Sequence, residues 1–120
     1  MPLLPVAAVP GPPSAPEVCN VVSTKCTVRY QLPSDEGDAP VTGYQVQRHH
    51  VLAVGDDSGW EAVNEQPITA PEIDVDHLQP LSRYEFRVAA RNELGTGDFS
   101  PASRLITTDN SVRILRSYSY

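Results

Sequence analysis

From Tyr84 to Arg91 the chain alternates without a break: Tyr84, Phe86, Val88 and Ala90 share one parity, Glu85, Arg87, Ala89 and Arg91 the other. A two-residue repeat sends successive side chains to opposite faces of an extended strand, so this run predicts a strand with one face in a core and one toward solvent. Shorter runs repeat the pattern. Cys26, Val28 and Tyr30 alternate with Thr27, Arg29 and Gln31; Tyr44 and Val46 with Gln45 and Gln47; Ile73 and Val75 with Asp74 and Asp76. Trp60 and Val63 open one more strand, and a last one runs over 104–108. Loops at 33–40, 55–59 and 95–98 are rich in Gly, Pro, Asp and Ser, the residues that turn a chain. Twelve prolines and seven glycines among 120 residues leave no room for long helices. The expectation is an all-β domain of seven strands, a sandwich rather than a barrel with a ligand cavity. Its predicted core is Cys26, Val28, Tyr30, Tyr44, Val46, Trp60, Leu78, Tyr84, Phe86 and Val88.

The organisation along the chain is simple. Residues 1–13 read as a proline-rich linker, 14–109 as the module, and 110–120 as a basic tail or linker stub carrying Arg113 and Arg116 without an acid. Near the start, Pro2, Pro5 and Pro10 interrupt any helical signal segment and no basic stretch precedes it. No run approaches the roughly 18 apolar residues of a membrane span, so membrane insertion is not expected. A formal charge of −6 disfavours nucleic acid, whose phosphates reward a basic surface. If the strands before and after residue 24 form a tight hairpin, Cys19 and Cys26 lie about 13 Å apart along it, at about 3.3 Å per residue, too far for a disulfide. Two free thiols and the absence of any Asn-x-Ser/Thr sequence lean toward a reducing compartment.

Two longer signatures now align. Leu78-Gln79-Pro80-Leu81-Ser82-Arg83-Tyr84 has the Leu-x-Pro-x-x-x-Tyr spacing of a tyrosine corner, and Tyr84 through Gly95 follows Tyr-x-Phe-x-Val-x-Ala-x-Asn-x-x-Gly. With Pro40 to Val46, Trp60 and Val63 marking the middle strands, the order resembles a fibronectin type III module over roughly 14–109. The resemblance implies an immunoglobulin-like sandwich that is not an enzyme and carries no cofactor. Two departures stand out. Tyr30 occupies the position where the family usually has Trp, and the loop Leu94-Gly95-Thr96-Gly97-Asp98-Phe99 lacks the Arg-Gly-Asp tripeptide through which some modules engage integrins. The entrance, Pro10-Gly11-Pro12-Pro13-Ser14-Ala15-Pro16, is similar to that of modules in titin-like intracellular muscle and cytoskeletal proteins, the titin, obscurin and myosin-binding protein C group.

Residues that bear chemistry are sparse. His49 and His50 are adjacent and face opposite ways on a strand, so they cannot share a metal. Asp74, Asp76 and His77 offer at most a weak divalent-cation site, and a solvated strand face is the better reading because hard cations want six or more oxygens. Cys19 and Cys26 lack zinc-knuckle spacing, and no nucleophile elbow or phosphate loop occurs. What remains is a polar face. Arg87 and Arg91 project outward from one strand, and Gln45, Gln47 and His49 from its expected neighbour. Those five, with Arg113 and Arg116 of the tail, are the candidate protein-binding residues. The bland alternative is a solvated face in which Glu85 partly neutralises Arg87.

The sequence therefore predicts a monomeric protein-interaction and spacer module of a sarcomeric or cytoskeletal protein in the cytoplasm. Its expected partners are immunoglobulin-like or fibronectin type III domains. The alternative is an adhesive or ligand-binding unit on the extracellular face of a cell-surface receptor.

Overall fold

The computed structural model describes residues 7–53, 55 and 59–110. Its strands are β1 (Glu17–Cys19), β2 (Cys26–Arg29), β3 (Gly43–His50), β4 (Trp60–Ala62), β5 (Glu72–Val75), β6 (Arg83–Asn92), β7 (Gly95–Thr96) and β8 (Ile106–Thr107). They form two antiparallel sheets. The smaller is ordered β1-β2-β5, and the larger β4-β3-β6, with β7 and β8 both on the side of β6 away from β3. Because β7 and β8 are two pieces of one edge line, the sandwich has the seven expected strand positions, and among the described residues it has no helix.

That last edge is broken for a visible reason. Arg91 faces Thr96 at one end and Arg83 faces Thr107 at the other, so eight steps along β6 are matched by eleven along the edge. The surplus is absorbed around Ser100 and Ser103. The amides of Val88 and Phe86 donate to the Ser100 and Ser103 hydroxyls, 3.0 Å in both cases, while the two serine amides donate back to the Val88 and Phe86 carbonyls. A hydroxyl thus takes the place of a ladder carbonyl at each bulge, and the Val88 and Phe86 amides keep a partner there.

The core fills the space between the sheets. Val18, Cys26, Val28 and Val75 meet Tyr44, Val46, Tyr84, Phe86, Val88 and Ala90, with Leu78 and Ile106 closing one end. Tyr30 packs its ring 4.7 Å from that of Tyr44, and its hydroxyl donates to the Ala70 carbonyl at 2.7 Å. A tyrosine serves in the usual tryptophan position because its polar end has somewhere to go. The tyrosine corner is formed: the Gln79 amide donates to the Tyr84 hydroxyl at 2.9 Å.

Two expectations are corrected by register. Trp60, assigned to the core, pairs with His49 and so lies on the outer face of the larger sheet, half-buried. The cysteine geometry also differs. Cys19 stands opposite Thr27, so it is a near neighbour of Cys26 across the strand pair rather than four residues away. The thiols are kept apart by facing instead: Cys26 shares the core parity of Val28, and Cys19 the outer parity of Thr27.

The entering chain is tied to the module from residue 8, inside the segment read from composition as linker. The Ala8 amide donates to the Asp38 carboxylate at 2.6 Å, the Asp38 amide returns to the Ala8 carbonyl, and the Gly11 amide donates to the Asp35 carbonyl. Pro10 and Pro13 are buried. A Cβ on Gly97 would collide with the Pro10 carbonyl oxygen, so only glycine admits this strap. The chain leaves at the opposite pole, where the Asp109 amide bonds the Val22 carbonyl and the Leu81 amide the Asp109 carbonyl.

Candidate functional site

The outer face of the larger sheet is where the predicted binding residues meet. Register places Gln47 opposite Arg87, His49 opposite Glu85, Gln45 opposite Ala89 and Gly43 opposite Arg91, all on one side. Arg83 belongs to the same row. The outward parity of β6 therefore reads Arg83, Glu85, Arg87, Ala89, Arg91: three guanidiniums spaced four residues apart, about 13 Å each.

Arg87 is held in an unusual way for a surface arginine. Its guanidinium carbon lies 4.3 Å from the centre of the Trp60 ring and 4.5 Å from that of Phe99, so aromatic rings flank the cation. Its Nε donates to Gln47 Oε1 at 2.8 Å. The two ring contacts and the hydrogen bond restrain a side chain that would otherwise sample many rotamers. Glu85, the acid expected to neutralise it, turns away to His49 Nδ1 at 3.0 Å. Among the described residues none of Arg83, Arg87 and Arg91 forms an ion pair.

The other candidates separate. Gln45 is committed to structure, donating to the Asn64 carbonyl at 2.8 Å. His49, expected outward and available, is outward in parity but only 1% exposed, because the Trp60 ring lies 5.1 Å from its own and Glu85 caps its Nδ1. Its role is to hold Glu85 and underlie Trp60 rather than to meet a partner. Arg91 is exposed and donates to Thr96 Oγ1 at 3.3 Å. Arg113 and Arg116 lie outside the described residues.

Three contributors escaped the sequence reading. Arg83 sits four residues before Arg87 and would have been included had the alternation been extended one residue toward the chain start. Trp60 required the β3–β4 register. Phe99 reaches the face from the irregular edge segment, for which no periodic signal exists.

Little else in the described residues is equipped for chemistry. Burial pushes the Cys26 thiol up to about 11, assisted by Cys19 and Asp74, so it stays protonated and poorly nucleophilic. Asp74 accepts the Thr27 hydroxyl at 2.9 Å, and Asp76 pairs with His77 at 2.8 Å. No group of three or more His, Cys, Asp or Glu converges on a metal-sized site among the described residues.

Comparison with known proteins places this geometry in context. The family model described as "Fibronectin type III domain" matches residues 11–106. Contactin-5 of Danio rerio is 35% identical over 112 residues, spanning 89% of this chain and 10% of that protein. Cardiac-type myosin-binding protein C of Gallus gallus is 31% identical over 99 residues, spanning 82% of this chain and 8% of the other. The solved domains A168–A170 of titin superpose with a TM-score of 0.78 at 27% identity, over 88% of this chain and 34% of that one. The chain spans about a tenth of the length of these curated relatives.

Proposed function

Because the chain belongs to the fibronectin type III family, we propose that it acts as a non-catalytic docking and spacing module of a larger protein, meeting its partner with the outer face of the larger sheet. The observation that carries this reading is the row Arg83, Arg87 and Arg91, which has no ion pair among the described residues and is anchored at its centre by Trp60 and Phe99. Unpaired cations on a rigid sheet supply orientation and encounter rate more than raw affinity. Spacing is supported by the poles: the chain enters along a strap bonded from Ala8 onward and leaves at the far end beside Val22 and Leu81.

The reading favoured for the parent protein is an intracellular muscle or cytoskeletal one, with immunoglobulin-like or fibronectin type III domains as partners. It is supported by likeness to myosin-binding protein C and titin modules, and by two thiols facing opposite sides of a sheet. The likeness to Contactin-5 supports a second reading, an ectodomain unit of a cell-surface receptor. Affinity capture separates the two. The folded module and an Arg87→Glu/Arg91→Glu variant are each passed over a reducing striated-muscle extract and a neural membrane extract. Capture of an immunoglobulin-domain filament protein, lost in the variant, supports the first reading; variant-sensitive capture of a surface protein supports the second. Capture indifferent to the double charge reversal overturns the docking face.

A further inference from the structure

We propose that Arg87 is a receptor for a side-chain carboxylate on an extended acidic segment of the partner protein, with Arg83 and Arg91 steering the same segment from either side. This rests on the docking face described above and names what the face recognises. The rings of Trp60 and Phe99 flank the guanidinium at 4.3 and 4.5 Å, and Nε is spent on Gln47 at 2.8 Å. The two terminal nitrogens have no hydrogen-bond acceptor among the described residues, yet neither is a buried orphan, a condition confined there to His49 Nε2. They therefore reach solvent. Their parallel N–H groups match the two oxygens of a carboxylate, and a restrained arginine gives up less freedom on binding than a free one.

The surroundings select the class of ligand. Glu85, the one acid on the outward parity of β6, is occupied by His49 at 3.0 Å. Three arginines against this single acid make the row basic, while the chain as a whole carries −6. A dense polyanion such as nucleic acid would meet that acidic remainder, whereas a protein strand bearing isolated carboxylates would meet only the row. Along an extended segment, side chains four residues apart share a face and lie about 13 Å from one another, which is also the spacing of Arg83, Arg87 and Arg91. An acidic residue at every fourth position of an extended partner segment is the complement.

Trp60 is the chain's one tryptophan, so its emission reports directly on the site. The probe is a nonapeptide with Glu at its first, fifth and ninth positions and Thr and Val between, titrated in low salt. A peptide with Gln at those positions and inorganic phosphate serve as comparison arms. The expected result is a saturable change in Trp60 emission with the Glu peptide alone. Affinity should fall about tenfold or more in Arg87→Gln and about threefold in Arg83→Gln/Arg91→Gln, which leaves the clamp intact. Arg87→Lys, which keeps the charge but not the paired donors, should also bind several-fold more weakly. Far-UV circular dichroism confirms that each variant is folded. An unchanged affinity in Arg87→Lys, an equal response to the Gln peptide or to phosphate, or no saturable response overturns the proposal. If the peptide fails while charge reversal still abolishes capture of a folded partner, the carboxylate receptor falls and the docking face stands.

Discussion

Asn92 is fully buried at the end of β6, where the core meets the entering chain, and it serves three segments at once. Its Nδ2 donates toward the carbonyls of Ala8 at 3.2 Å, Glu36 at 3.0 Å and Ala39 at 3.3 Å, and its Oδ1 accepts the Leu94 amide at 2.8 Å. The amide group has two hydrogens, so Asn92→Ala removes the equivalent of three hydrogen bonds. At about 1 kcal/mol net for each, the expected loss is about 3 kcal/mol. That is a large share of the roughly 5–15 kcal/mol that holds a domain together, and corresponds to about 12–24 °C in Tm. Asn92→Asp is the sharper variant. At neutral pH it sets a buried carboxylate against three carbonyl oxygens and donates nothing, so it should be less stable than the alanine variant, recovering partly in acid where the carboxyl becomes a donor. Urea unfolding followed by far-UV circular dichroism measures both, with an unchanged m-value confirming that stability alone has moved. Exchange of the Gly11 amide, bonded to the Asp35 carbonyl at 2.8 Å, reports whether the strap has loosened. A loss under about 1 kcal/mol for alanine, or an aspartate variant as stable as the alanine one at pH 7, would refute the assignment of Asn92 as the tie between strap, loop and sheet.

Ser100→Ala and Ser103→Ala should each cost about 1–3 kcal/mol in a thermal melt, because each strands a buried amide of β6, Val88 or Phe86; a serine whose removal is silent would mean the bulge re-pairs through backbone. Tyr84→Phe keeps the ring in the core but takes the acceptor from the Gln79 amide, and is expected to cost about 1–2 kcal/mol by denaturant titration. Alkaline pH should destabilise the fold. Burial raises the Tyr30 phenol from 10.0 to about 12 and the Cys26 thiol from 9.0 to about 11, so the unfolded chain releases these protons first and their contribution, complete below pH 9, is lost as pH rises from about 9 to 12. Stability measured against pH should fall through that window, with a shallower early decline in Cys26→Ala; a flat profile to pH 12 would contradict the burial argument.

Much of the fold was legible because a period of two is a local property. The parities of β2, β3, β5 and β6 could be read residue by residue, and the tyrosine corner and the substitution of Tyr30 each found a hydroxyl partner in the structure. Where the reading departed from the structure, the missing information was register. Trp60 is a large apolar residue beside a strand, and hydrophobicity alone places it inward; only its pairing with His49 turns it outward. His49 shows the converse. Its parity was right, and its burial followed from neighbours contributed by β4 and β6. The spacing of the two cysteines depended in the same way on a strand pairing that the intervening turn does not specify.

The amino-acid sequence by itself determined that this chain forms a two-sheet all-β module, which face of each long strand is apolar, and that Arg87 and Arg91 lie on one outer face. Those properties follow from side-chain alternation, turn residues and proline content, all of which act within a few residues. Only the tertiary structure decided that Arg87 is clamped between Trp60 and Phe99, that Glu85 serves His49 and leaves the arginine row without an ion pair among the described residues, and that the proline-rich entrance is bonded to the module from Ala8. Each of those joins residues separated by many positions in the chain. Their contact depends on strand register and on the irregular edge at Ser100 and Ser103, which no local pattern encodes.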